Sequence, residues 1–178
     1  MSKAAVAISG PQPGEMIDLR DPVVAAILGW LIPGMGHIYQ GRTAKGLLFM
    51  ICILSAFFYG LIISDGRAVY ASWTDSDKRL PYFCQLGVGL PALPAILQTY
   101  LVRQGKAPLW GGVMAPPATP AELNEWYKTL NKYFDLGTTY TMIAGLLNIL
   151  AIYDAWGGPV ELESEEPKPD DAPPGPNP

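Results

Sequence analysis

The residues best equipped for chemistry in this 178-residue chain lie in one short stretch, Pro33-Gly34-Met35-Gly36-His37-Ile38-Tyr39-Gln40-Gly41-Arg42, followed by Lys45 and Gly46. His37 is the single histidine. An imidazole beside a break in an apolar helix can relay protons or hold a ligand. It can also hydrogen-bond the carbonyls that a proline leaves without donors. The second use is favoured, because nothing else in that apolar run titrates. Asp154 stands near the end of the last apolar run. Its carboxylate can rest in interfacial water or reach a basic partner on another element. Arg42 is one candidate, provided the two helix ends share a face. Asn148, inside the same run, is suited to an interhelical hydrogen bond.

Other reactive patterns are missing from the sequence. It contains no Ser-His-Asp set that can be assembled, no GxxxxGK(S/T) or strand-following GxGxxG loop, and no HExxH. Cys52 and Cys84 form no CxxC pair and read as two small buried hydrophobes. The expectation is a non-enzymatic protein with no catalytic residue, no cofactor and no metal ligand.

What must position these residues is apolar. The chain is 49% hydrophobic and 16% charged, and four stretches carry no charge at all. They lie between Asp21 and Arg42, Lys45 and Asp65, Arg79 and Arg103, and Asp135 and Asp154. A helix of about 20 apolar residues crosses a ~30 Å hydrocarbon core. The sequence therefore predicts an all-α integral membrane bundle of about four spans, at residues 22–40, 46–63, 82–102 and 136–154. The first is either a full span or re-entrant, because Pro33-Gly34-Met35-Gly36 breaks the helical pattern. Pro91 and Pro94 predict a kink or interruption in the third.

Local signals refine the picture. Asp21-Pro22 is a cap followed by proline at the first helical position. Thr119-Pro120-Ala121-Glu122 is a capping-box pattern. It opens an amphipathic helix over 120–133 whose Leu123, Trp126, Tyr127, Leu130 and Tyr133 suit the membrane interface. The small residues Ala56 and Gly60, and Gly137, Thr141 and Gly145, recur four apart and allow close helix approach. Residues 1–21 read as a flexible arm and 159–178 as a disordered, acidic, proline-rich tail.

Charge adds a topology. The tail accounts for the net charge of −4, and no basic patch suggests nucleic acid. If all four runs cross, the Arg42/Lys45 turn and the loop 103–133 share the cytoplasmic side, with 64–80 opposite.

The segment Ala25 to Gly46, with its P-G-x-G-x-x-Y-x-G-x-x-x-K-G core, resembles bacterial variants of the two-transmembrane-helix (TM-two) domain. Leu146 to Trp156, containing Asp154-Ala155, resembles that domain's closing element. In many members an Asp-Arg-Phe stands where this chain has Gly36, His37 and Ile38. The resemblance implies a helix–turn–helix membrane unit, here enlarged by a loop, an extra run and the 120–133 helix. Its structural residues would be Pro33, Gly34, Gly36, His37, Tyr39, Gly41, Arg42, Lys45, Gly46 and Asp154. The expected role is a structural or accessory subunit in the bacterial inner (cytoplasmic) membrane. Its partners would be the bilayer and other membrane proteins or a second copy. The alternative is a small transporter or channel component using the broken helices.

Overall fold

The computed structural model describes residues 21–74 and 77–158. The N-terminal arm (up to residue 20) and the acidic tail lie outside the described residues. Within them the chain forms seven α-helices: α1 Pro22–Leu31, α2 Met35–Tyr39, α3 Thr43–Ile63, α4 Pro81–Gln85, α5 Pro94–Arg103, α6 Pro120–Leu130 and α7 Lys132–Gly157. Short 3₁₀ turns lie at Leu86–Val88, Leu90–Ala92 and Trp110–Gly112. A single antiparallel bridge, Trp73 to Lys78, is the extended pairing among the described residues.

Two helices, α3 and α7, are long and apolar enough to cross a membrane. With 21 and 26 residues they reach about 31 and 39 Å at 1.5 Å per residue. They run antiparallel in contact. The first turn of α3 meets the end of α7 through Lys45 and Asp154, and Gly60 meets Gly137 at the other end. A Cβ on Gly60 would lie 2.7 Å from the Gly137 carbonyl oxygen and 3.0 Å from Thr141 Cγ2. Gly60 of the first small-residue stripe thus packs on Gly137 and Thr141 of the second, whose Gly145 instead meets the Cys84–Gln85 backbone.

The other two apolar runs differ from the expected spans. α1 has 10 residues, about 15 Å, half of a bilayer core. It starts as expected, with Asp21 Oδ1 accepting from Val23 N at 2.9 Å and Pro22 at the first turn. It ends at Ile32, whose extended backbone (φ −135°, ψ 119°) is what a following proline imposes. From the level of Asp154 it descends to that of Asn148, which donates to the Gly29 carbonyl at 3.0 Å. The chain then turns at Pro33-Gly34 and climbs back as α2. The 22–40 run is therefore a hairpin that enters and leaves at one end of the bundle.

The 82–102 run is a second hairpin, from the opposite end. Arg79 lies at the level of Thr138, Gln85 at Thr141, and Gly87 at Gly145 and Asn148. The backbone reverses at Gly89, with φ 83° and ψ −127°. A Cβ there would overlap the Trp30 carbonyl, so only glycine fits where the two hairpin tips touch. Pro91 occupies the second 3₁₀ turn and Pro94 starts α5, which returns beside its own entry strand. Tyr82 Oη donates to Ala92 O at 2.9 Å, and Thr99 Oγ1 to Ala71 O at 2.5 Å.

This reversal changes which loops are neighbours. Residues 64–74, 77–80 and 104–131 lie at the same end of the bundle, joined by Met114 N donating to Gly66 O at 2.8 Å. Gln98 locks the second loop by bonding Leu109 and Val113. α6 begins as its capping box predicts, Thr119 Oγ1 accepting from Glu122 N. It stops at Leu130, because Asn131 takes a positive φ of 48°, and Lys132 and Tyr133 already belong to α7. Its Trp126 is buried against Tyr70 and Phe134, so this helix finds protein for its central aromatic, while Tyr127 stays exposed.

The close helix contact gives a direct test. Gly60→Leu must push α3 from the Gly137 backbone and is expected to cost about 1–3 kcal/mol. A lower melting temperature of the detergent-solubilised variant would measure it. An unchanged value would contradict the α3–α7 packing.

Candidate functional site

Three donors from the motif converge on one carboxylate oxygen. Asp154 Oδ2 lies 2.6 Å from His37 Nε2, 2.6 Å from Lys45 Nζ and 3.4 Å from Arg42 Nη2. Next to it, Gln40 Nε2 donates to the Ala155 carbonyl at 2.7 Å. The hairpin is thus fastened to the end of α7 by both side chain and backbone acceptors.

Local structure brings the donors together. α2 ends in a Schellman arrangement: Arg42 N donates to His37 O at 2.9 Å and Gly41 N to Ile38 O at 3.0 Å. Gly41 supplies the positive φ of 82° that this ending requires. The tight turn lets α3 start at Thr43, so Arg42 and Lys45 face the same point as His37. Below the turn, Gly34 and Gly46 touch backbone to backbone. A Cβ on Gly46 would be 2.7 Å from Gly34 O and 2.6 Å from the Ile38 side chain, and one on Gly34 would overlap Gly46 O. Pro33 is fully buried under this contact, and Gly36 passes against the Ala25 carbonyl and the Ala155 methyl. Tyr39 is half-buried.

His37 is 1% exposed and packs 5.0 Å from the Phe49 ring. Burial lowers its pKa below the ordinary 6.5, the hydrogen bond to Asp154 opposes that, and the Arg42 charge adds to it. The imidazole is therefore neutral at pH 7, donating Nε2–H to the carboxylate. Its expected partners were the carbonyls freed by Pro33. The partner is instead a carboxylate from a helix 117 residues away in sequence.

Two further polar centres hold the hairpins. Asn148 Nδ2 donates to Gly29 O and to Gly87 O at 3.0 and 2.9 Å, joining both tips. Trp30 Nε1 donates across the same junction to Leu86 O. At the loop end, buried Arg79 donates to Ala68 O and Thr138 Oγ1. Its guanidinium sits 4.6 Å from the Tyr70 ring centroid and 5.0 Å from that of Phe134. Gln85 Nε2 bonds Ala68 O and Thr141 Oγ1. Of these, Asn148 was legible as an interhelical donor. Gln85 and Arg79 were not singled out, although an amide or guanidinium beside an uncharged run is itself a sign of internal hydrogen bonding. Cys52 is exposed and Cys84 partly so, not the buried pair expected. Among the described residues no cluster of His, Cys, Asp or Glu has metal-binding form.

The Asp154 cluster predicts a graded response. Asp154→Ala strips the acceptor from buried His37 and leaves Arg42 and Lys45 facing each other, a loss of about 1–3 kcal/mol. His37→Gln keeps a donor and should cost less than about 1 kcal/mol. Because the folded His37 binds a proton less readily than the unfolded one, its stabilisation is present above 6.5 and is lost as pH falls toward the lowered value. Melting temperatures across acid pH should therefore fall more steeply for wild type than for His37→Gln. Parallel curves would place the acid sensitivity elsewhere.

Comparison with known proteins adds one relation. No curated protein and no solved structure matches the chain. A family model described as a family of unknown function (DUF6677) matches residues 24–168. That range holds the second hairpin, the first from its third residue, both long helices and every residue of the Asp154 cluster, so the chain belongs to this family of unknown function, DUF6677.

Proposed function

We propose that this protein is a non-enzymatic integral membrane protein, crossing the bilayer twice through α3 and α7 and inserting the two hairpins to half depth from opposite sides. It serves as a structural or accessory subunit. One observation carries the reading: the two hairpin tips meet at one level of α7, where the Asn148 amide donates to a backbone carbonyl of each. Such pairing is what irregular backbone needs at membrane depth. Outward faces agree, with Leu48, Ile51, Ile62, Leu146, Leu150 and Tyr153 each more than 45% exposed, a surface suited to lipid or to another membrane protein. The bacterial inner membrane is the proposed location. The likeness to the two-transmembrane-helix domain enters here as a likeness of the turn and its closing Asp154.

A second reading, a small transporter or channel component, is favoured by the same opposed half-insertions, which transporters use to build sites at mid-depth. Here the junction is filled by Trp30, Asn148 and the backbone at Gly89.

Topology is the test. Single cysteines at Lys78 and Thr119, in a chain with Cys52 and Cys84 replaced, should label from one side of the membrane, and a cysteine at Ala44 from the other. Labelling of Lys78 and Thr119 from opposite sides would restore a crossing third run and overturn the two-crossing arrangement. Recovery of intact protein in the soluble fraction without detergent would overturn the membrane reading itself.

A further inference from the structure

Beside the Asp154 cluster runs a groove of about 480 Å³ between α3 and α7, lined by Leu48, Cys52, Ile53, Leu147, Leu150 and Ala151. Buried Ile53 and Ala151 form its floor beside the small side chain of Cys52, and Leu48 and Leu150, 60% and 64% exposed, form its rims. From Leu147 to Asp154 it extends about 10 Å along α7. Asp154 closes its end.

The closed end is electrically incomplete. With His37 neutral, two permanent cations, Arg42 and Lys45, share one carboxylate. Arg42 Nη1 is buried with no hydrogen-bond partner. The Lys45 side chain is 38% exposed. The first amides of α3 also lie here, and Arg42 at the cap position gives them no side-chain acceptor. One negative charge at this end would balance the cluster.

We infer that the groove and the Arg42/Lys45 pair form a binding site for one anionic phospholipid, the acyl chain lying on Cys52 and Ala151 and the phosphodiester at Lys45. The inference rests on the membrane reading above. An apolar helix of another protein would cover the same groove, but would bring no charge to its cationic end. A phosphodiester on an acyl chain supplies both parts at the spacing the groove sets.

Native mass spectrometry of the full chain released from bilayers of equal phosphatidylglycerol and phosphatidylcholine tests this. Wild type should retain phosphatidylglycerol over phosphatidylcholine. Lys45→Gln should reduce that preference about fivefold, the equivalent of the ~1 kcal/mol that one cation contributes near an anionic surface. Lys106→Gln, an exposed charge at the other end of the bundle, should leave it unchanged. Cys52→Trp fills the groove without altering charge and should lower phosphatidylglycerol retention with the melting temperature preserved, so the test does not depend on Lys45→Gln folding. Excess inorganic phosphate should not displace the lipid.

Four outcomes would overturn the site. They are no headgroup preference in wild type, equal loss in Lys45→Gln and Lys106→Gln, displacement by phosphate alone, and a Cys52–Cys52 disulfide between copies in place of lipid. Flotation with the vesicles separates the two readings. A chain that fails to float defeats the membrane reading, whereas one that floats without headgroup preference defeats only the lipid site.

Discussion

A helix that stops halfway through an apolar layer leaves backbone carbonyls with no partner in its own turn, and buried carbonyls must be paired. This chain meets that constraint twice at one level. α1 ends beside Asn148, and the Leu86–Val88 turn ends beside the same amide from the other direction. Each single group would be costly to bury alone. Asn148 can serve both because a side-chain amide has two donor hydrogens. Gly89 lets the second tip come close enough to the first for Trp30 to reach Leu86 as well. Remove that junction and neither hairpin has a reason to stop at that depth.

The two open ends are secured differently, and chemistry follows depth. Near Asp154 the fastening is ionic, with three donors on one oxygen at a partly exposed position. At the loop end it is a buried guanidinium held by a carbonyl, a hydroxyl and two aromatic faces. Exposed ion pairs contribute little singly, but the His37 arm is buried and leaves a donor unmade if lost. The structural weight of the Asp154 cluster thus falls on its neutral member, while its charged members remain accessible from outside.

Much of the local order was legible. Asp21-Pro22 and Thr119-Pro120 start the helices they announce, and Pro33-Gly34 and Pro91/Pro94 break the runs in which they stand. The small-residue stripes mark true close contacts. For the first run re-entry was one of the two paths read; for the third, the reversal was not legible. Uncharged length is the same for a run that passes through and for one that enters, turns and returns, and the reversal at Gly89 depends on Trp30, far away in sequence. Pairing was half legible. The sequence named Arg42 as a partner of Asp154, but it offered His37 its nearest acceptors, the carbonyls of its own break. The carboxylate that took their place arrives on α7, because α1 is too short to carry the hairpin past the end of that helix.

Five groups of α7 fasten the two hairpins: Thr138, Thr141, Asn148, Asp154 and the Ala155 carbonyl. Among the described residues that helix is the last in chain order. Without it, the Gly29 and Gly87 carbonyls, the His37 imidazole and the Gln40 amide lack the partners they have in the fold. The fold of the described residues is therefore closed by α7, the helix on which both hairpins are fastened. A chain cut before residue 148 leaves the Gly29 and Gly87 carbonyls without the one amide that pairs them both.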